Sequence, residues 1–93
     1  MTYTEFINAA LRGRSVNKAA HEMGLPQPTL SNYKLGKHLP SPLATLILAK
    51  EAGMSEGEAL RVLAEEEATR KGMLDKIKQL FKSARRAAKL SLA

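Results

Sequence analysis

The stretch AAHEMGLPQPTLSNYKLGKHLPSP, residues 19–42, decides the fold of this chain. Gly24 follows a helical repeat and permits the positive φ that reverses a chain within a few residues. Pro26 and Pro28 fall before or within the first turn of a next helix, where a missing N–H costs little. Gly36 ends that short helix. The stretch therefore predicts two helices joined by a tight turn.

Helical spacing continues on both sides of this stretch, and no segment alternates with the period of a strand. Hydroxyl side chains are placed to begin the flanking helices: Thr2, Ser15, Ser41 and Ser55. Glycines are placed to end the helices: Gly13, Gly24, Gly36, Gly53 and Gly72. Apolar positions at helical spacing form the predicted core of the first four helices: Tyr3, Phe6, Ile7, Ala10, Leu11, Val16, Ala19, Ala20, Met23, Leu30, Tyr33, Leu43, Leu46, Ile47 and Ala49 to Ala52. The sequence thus predicts an all-α fold of five helices followed by a basic amphipathic C-terminal helix.

Length and composition narrow the class of protein. Ninety-three residues suffice for one small domain, and the absence of cysteine excludes a disulfide scaffold and a thiolate metal site. The first residues do not form a basic start followed by an apolar region, so we expect no secretory signal. The uncharged runs are shorter than the roughly 20 apolar residues that span a bilayer. We therefore expect a cytoplasmic protein without a membrane segment.

The net charge of +6 is unevenly distributed along the chain. Residues 1–50 carry six Lys or Arg against two Glu, residues 51–69 carry one Arg against six Glu, and residues 70–93 carry eight Lys or Arg against one Asp. A basic front and a basic tail favour a polyanionic partner.

The residues AAHEMGLPQPTLSNYKLGKHLPS resemble the Cro and lambda-repressor-like (XRE-type) helix-turn-helix family of phage and bacterial regulators. In that family an alanine, the turn glycine, the apolar residue after it, a Q-x-T-L-S-like start and a later G-K recur with this spacing. The similar helical plan covers about residues 3–53. The resemblance implies a compact five-helix DNA-binding domain over residues 1–71, with its recognition helix in the major groove. Residues 72–93 then form the additional helix.

The resemblance also implies which side chains contact DNA. The base-contacting positions are Gln27, Pro28, Thr29 and Asn32. The phosphate-contacting positions are Ser15, Lys18, Ser31, Lys34, Lys37 and His38. Gln and Asn can bond bidentately to adenine and apolar groups can pack on the thymine methyl, each good pair discriminating by about 1–3 kcal/mol. Pro26 and Pro28 depart from the family pattern, which has small polar residues at the start of this helix.

The residue pattern indicates neither catalysis nor metal binding. His21 and Glu22 do not form an H-E-x-x-H motif, and no carboxylate pair or nucleophile–base arrangement stands out. We therefore expect no enzyme, no metal site and no cofactor.

The C-terminal segment carries an apolar stripe that we expect to form a homodimer together with the fifth helix. The predicted dimer contacts are Leu60, Leu63, Leu74, Ile77, Leu80, Phe81 and Ala84. Two other roles remain open for the segment, a contact with the DNA backbone and attachment to a membrane surface. The acidic residues 64–70 beside it can pair with it within one chain or across a dimer.

Together these features favour a sequence-specific transcriptional regulator of the phage or prophage repressor type. A homodimer would bind an imperfect palindrome in double-stranded DNA, with recognition helices about 34 Å apart. One alternative is the antitoxin of a toxin–antitoxin pair, which would also bind a protein partner through its C-terminal helices. The other is a protein- or membrane-interaction module that acts through the basic C-terminal helix.

Overall fold

A computed structural model describes residues 1–72 and 79–80. These residues form α1 (Tyr3–Leu11), α2 (Val16–Met23), α3 (Gln27–Leu35), α4 (Pro42–Ala52) and α5 (Glu56–Arg70), and they contain no strand. The predicted all-α class and the five helices are therefore confirmed for the described residues, while most of the predicted additional helix at residues 72–93 lies outside them. The predicted dimer contacts Leu74, Ile77, Phe81 and Ala84 lie outside the described residues.

Hydroxyl caps begin four of these five helices at the predicted positions. The side-chain oxygens of Thr2, Ser15, Ser41 and Ser55 accept hydrogen bonds from backbone N–H groups three residues later, at 3.1–3.2 Å. Each bond satisfies one of the N–H groups that have no partner inside the helix. The helix starts are consequently fixed by local sequence.

The first helix ends one residue earlier than the glycine pattern predicts. Arg12, not Gly13, is the first left-handed residue, with φ 54°, and Gly13 follows at φ 73°. The Arg14 guanidinium donates to the carbonyl oxygens of Leu11 and Ala10 at 2.8 and 2.9 Å. Side-chain bonds from outside the helix thus satisfy its last carbonyls.

The chain divides into two compact units, Met1–Leu63 and Ala64–Ala93. In the first unit α1 packs most extensively against α4, and it also contacts α3, while α2 packs against α3. The core of this unit draws on all five helices, with Phe6, Ile7, Leu30 and Leu48 almost fully buried. The domain boundary predicted at residues 71 and 72 stays a prediction.

Helix α4 buries only part of the stripe that the periodicity predicts, since Ala49 is buried and Ile47 and Ala52 pack on the core. Leu43 and Leu46 are exposed, while Ala44, Thr45, Leu48 and Ala49 are buried. Thr45 can be buried because its hydroxyl donates to the carbonyl oxygen of Ser41 at 2.8 Å, which satisfies its polar atom. The predicted inward positions of these two leucines were therefore wrong.

In the second unit, ion pairs one turn apart reinforce the end of α5. Glu66 pairs with Arg70 at 3.1 Å and Glu67 pairs with Lys71 at 2.8 Å. The hydrogen bond from Lys71, together with its positive charge, holds the pKa of the Glu67 carboxyl below its ordinary value of 4.5.

Across residues 1–72 and 79–80, no helix has both the length and the apolar character needed to cross a membrane.

Candidate nucleic-acid interface

Helix α3 begins without a side-chain cap. Pro26 is its N-cap residue, and the Pro26 carbonyl accepts from the Leu30 N–H at 3.1 Å. A helix start normally leaves four N–H groups without partners, but Pro26 and Pro28 have none to offer. Only the N–H groups of Gln27 and Thr29 remain there. The two prolines therefore remove half of the donors that need a cap.

The buried and exposed sides of α3 follow its helical period. Leu30 and Tyr33 are buried, as predicted. Pro28 is exposed on the opposite side, and Asn32, one turn after it, is half-buried. Gln27 is exposed at the start of the helix, three residues before Leu30. Two of the four predicted base-contacting residues, Pro28 and Asn32, thus lie on the outward face, while Gln27 is exposed at the helix start and Thr29 is half-buried.

Leu35 is a member of this outward face that the pattern of polar residues missed. It lies three residues after Asn32 and seven after Pro28, so these side chains share one side of the helix. Leu35 is 64% exposed. Helical spacing alone could have identified it, because Leu35 falls opposite the buried pair Leu30 and Tyr33.

A short turn of residues 24–26 joins α2 to α3. Gly24 is left-handed at φ 73°, and the Leu25 N–H donates to the Ala20 carbonyl at 2.9 Å. Ala19 and Ala20 are buried, and the half-buried Leu25 packs on the core. Small side chains on α2 allow the two helices to pack closely. Residues 24–26 therefore hold α3 against α2.

The far end of α3 is tied to α1 by a long-range hydrogen bond. The Tyr3 hydroxyl donates to the Tyr33 carbonyl oxygen at 2.7 Å in a buried position. Gly36, left-handed at φ 76°, ends the helix, and the Lys37 N–H donates to the Asn32 carbonyl at 3.0 Å. These bonds fix the position of Lys37 directly beyond the helix.

The cations of the first unit fall into two groups. Arg12 pairs with Glu51 at 3.3 Å, and Arg14 pairs with Glu22 and Glu51 at 3.0 and 3.2 Å. The predicted phosphate-contacting residues Lys18, Lys34 and Lys37 are exposed and form no ion pair with any described residue. Their charge is consequently available to an external anion.

The other predicted phosphate contacts have different environments. Ser15 is exposed, and its hydroxyl accepts from the Lys18 N–H, so it caps α2. His38 is exposed and Ser31 is half-buried. All three are accessible to a partner.

The predicted dimer contacts within the described residues differ in exposure. Leu60 and Leu80 are 52% and 61% exposed. Leu63 is buried in the core of the first unit, so its side chain is occupied within the chain.

The described residues contain no cluster of three or more His, Asp or Glu side chains suited to a metal ion. The accessible polar residues of the first unit include the exposed Lys18, Lys34 and Lys37 and the exposed Gln27. No family model, curated protein or solved structure matches the chain.

Proposed function

We propose that the protein is a non-enzymatic, sequence-specific DNA-binding regulator of the cytoplasm that blocks a promoter as a homodimer. In this proposal α2 and α3 form a lambda-repressor-like helix-turn-helix, and α3 enters the major groove of a palindromic operator. The observation that carries it is the outward face of α3 with unpaired lysines at its end and on α2.

In this proposal, one class of contact positions the protein on DNA and another selects the base sequence. Lys18, Lys34 and Lys37 bind phosphates, which positions α3 without selecting a sequence. Gln27 and Asn32 contact base edges, where the amide groups can bond bidentately to adenine. Pro28 and Leu35 add apolar surface that can pack against thymine methyl groups.

The two prolines fit the same proposal in a specific way. They remove backbone donors from the start of α3, so fewer N–H groups are available there for a phosphate. More of the affinity must then come from lysine side chains, and more of the specificity from Gln27 and Asn32.

The experiment that tests the proposal is selection of bound sites from random double-stranded DNA with the full chain. Enrichment of an imperfect palindrome supports a symmetric DNA-binding dimer. Failure to enrich any sequence contradicts the proposal. Salt-sensitive binding to anionic vesicles, without preference for any DNA, would favour the membrane-interaction alternative instead.

Substitutions on α3 test the roles of single residues on the selected site. We expect Asn32→Ala and Gln27→Ala each to reduce discrimination against random DNA by about 1–3 kcal/mol, because each removes a bidentate base contact. Asn8→Ala is the matched control, since Asn8 is an exposed asparagine on α1. Titration of labelled duplexes gives both affinities. Unchanged discrimination by Asn32→Ala would show that α3 does not select the sequence.

A further inference from the structure

Three exposed leucines lie on α4 and α5. Leu43 and Leu46 of α4 are 70% and 41% exposed, and Leu60 of α5 is 52% exposed. Leu43 and Leu46 lie three residues apart on one side of α4, and Lys50 follows Leu46 by four residues. On α5, Glu56 and Leu60 are four residues apart. We call these five residues the α4–α5 face.

A groove of about 650 Å³ lies between the two helices in the middle of this face. Its lining residues are Leu46, Ala49, Lys50, Met54, Ser55, Glu56 and Gly57. Leu43 lies one turn before the groove on α4, and Leu60 lies one turn after it on α5. The groove is larger than a single aliphatic side chain, so side chains of a partner can enter it.

The charges at the groove indicate the kind of partner. Lys50 and Glu56 line it from opposite helices, and neither forms an ion pair with any residue in the described ranges. The carboxylate of Glu56 disfavours a polyanion inside the groove. A surface that carries both a positive and a negative side chain can pair with a second copy of itself. Two-fold symmetry then forms the Lys–Glu pair twice, once with the lysine of each protomer.

We propose that the α4–α5 face binds the same face of a second copy of this chain. Leu43 and Leu46 of one protomer pack against the groove of its partner, and Lys50 of each protomer pairs with Glu56 of the other. The inference rests on the proposed function in that it names the interface of the dimer. It assigns to α4 a role that the sequence pattern gave to the C-terminal segment and α5.

The first test measures the oligomeric state of the full chain without DNA. We expect Leu43→Glu to weaken the dimer at least tenfold in sedimentation equilibrium, because two charges would enter one apolar interface. Leu43 lies in the first turn of α4, where an acidic residue is favourable, so the fold should be retained. Leu35→Glu is the matched control, because Leu35 is similarly exposed but lies on α3. A dimer unaffected by Leu43→Glu, or a monomeric wild-type chain, would overturn the inference.

The second test exchanges the charges. Lys50→Glu and Glu56→Lys should each weaken self-association several-fold, because like charges then face each other across the axis. A mixture of the two variants should restore association, since both pairs are regained in the heterodimer. No restoration would overturn the pairing of Lys50 with Glu56.

These outcomes are separable from those of the DNA experiments. A dimer that depends on Leu43 but enriches no DNA sequence would contradict the proposed function and leave the interface intact. A chain that enriches a palindrome while Leu43→Glu leaves its dimer unchanged would contradict the interface alone.

Discussion

At the scale of single residues, Arg14 connects three helices although it belongs to none of them. Its guanidinium donates to two carbonyl oxygens at the end of α1. It also pairs with Glu22 on α2 and with Glu51 on α4. Its side chain is only 12% exposed, and its bonds to Leu11, Ala10 and Glu51 are partly buried, whereas the bond to Glu22 is exposed. Arg14 therefore positions α2 relative to the helices that support it.

Replacement of Arg14 tests this role. A lysine keeps the charge but lacks the planar fork that reaches several acceptors at once. We expect Arg14→Lys to lower the free energy of unfolding by about 1.5–3 kcal/mol, the usual contribution of a hydrogen bond to a charged group. Urea denaturation at one protein concentration measures the change.

Arg12 provides the matched control, because it pairs with the same Glu51 while its side chain is 63% exposed. We expect Arg12→Lys to change the free energy of unfolding by less than about 1 kcal/mol, as is usual for exposed pairs. Equal effects of the two substitutions would contradict a special role of Arg14.

At the scale of elements, α3 depends on its neighbours more than on its own sequence. It is nine residues long, has Pro26 at its N-cap and Pro28 as its second residue, and has no side-chain cap. Isolated helices of this length are marginal in water. Burial of Leu30 and Tyr33 and the bond from the Tyr3 hydroxyl stabilise it from outside.

The turn before α3 offers a test at this scale. A Cβ at Gly24 would meet no atom within 4 Å, so only the left-handed backbone at φ 73° opposes a side chain there. We expect Gly24→Ala to lower the free energy of unfolding by about 1–2 kcal/mol. Differential scanning calorimetry should show a lower Tm.

Gly57→Ala is the control for Gly24→Ala. Gly57 lies in the first turn of α5 without a positive φ, and a Cβ there also meets no atom within 4 Å. We expect this substitution to stabilise the fold by up to about 0.4–1 kcal/mol, because alanine restricts the unfolded chain. A loss of stability similar to that of Gly24→Ala would show that backbone conformation is not the cause.

At the scale of the whole molecule, the distribution of paired and unpaired cations separates structural from binding charges. The arginines near α1 are engaged with carboxylates, whereas the exposed lysines on α2 and around the end of α3 form no ion pair with a described residue. An engaged cation stabilises the chain, and a free cation can displace counterions from DNA.

The salt dependence of DNA binding tests this division. We expect Lys37→Ala to weaken binding to operator and random DNA alike, and to reduce the slope of log K against log salt by about one, because one phosphate contact is lost. Lys71→Ala is the control, since Lys71 pairs with Glu67. If Lys37→Ala changed the preference between sequences but not the slope, Lys37 would contact a base instead of a phosphate.

Local sequence is enough to predict where four of the five described helices begin, because their caps bond within one turn. The hydroxyls of Thr2, Ser15, Ser41 and Ser55 bond to N–H groups only three residues away, and left-handed glycines end α2, α3 and α4. The buried side of α1 could also be predicted from the sequence, because the apolar residues of this helix lie on one side only. The predicted DNA contacts rest on a pattern of residues and stay predictions.

The buried sides of the more uniformly apolar helices depend on how the helices pack together, which their own sequences do not reveal. Leu43 and Leu46 were predicted to be buried and are exposed, whereas Leu63 was predicted at a dimer contact and lies in the core. The contacts of Arg14 could not be predicted from the sequence either, because its partners Glu22 and Glu51 lie 8 and 37 residues away along the chain. The physical reason is that burial depends on contacts between distant segments, while a helix cap depends on neighbours within one turn.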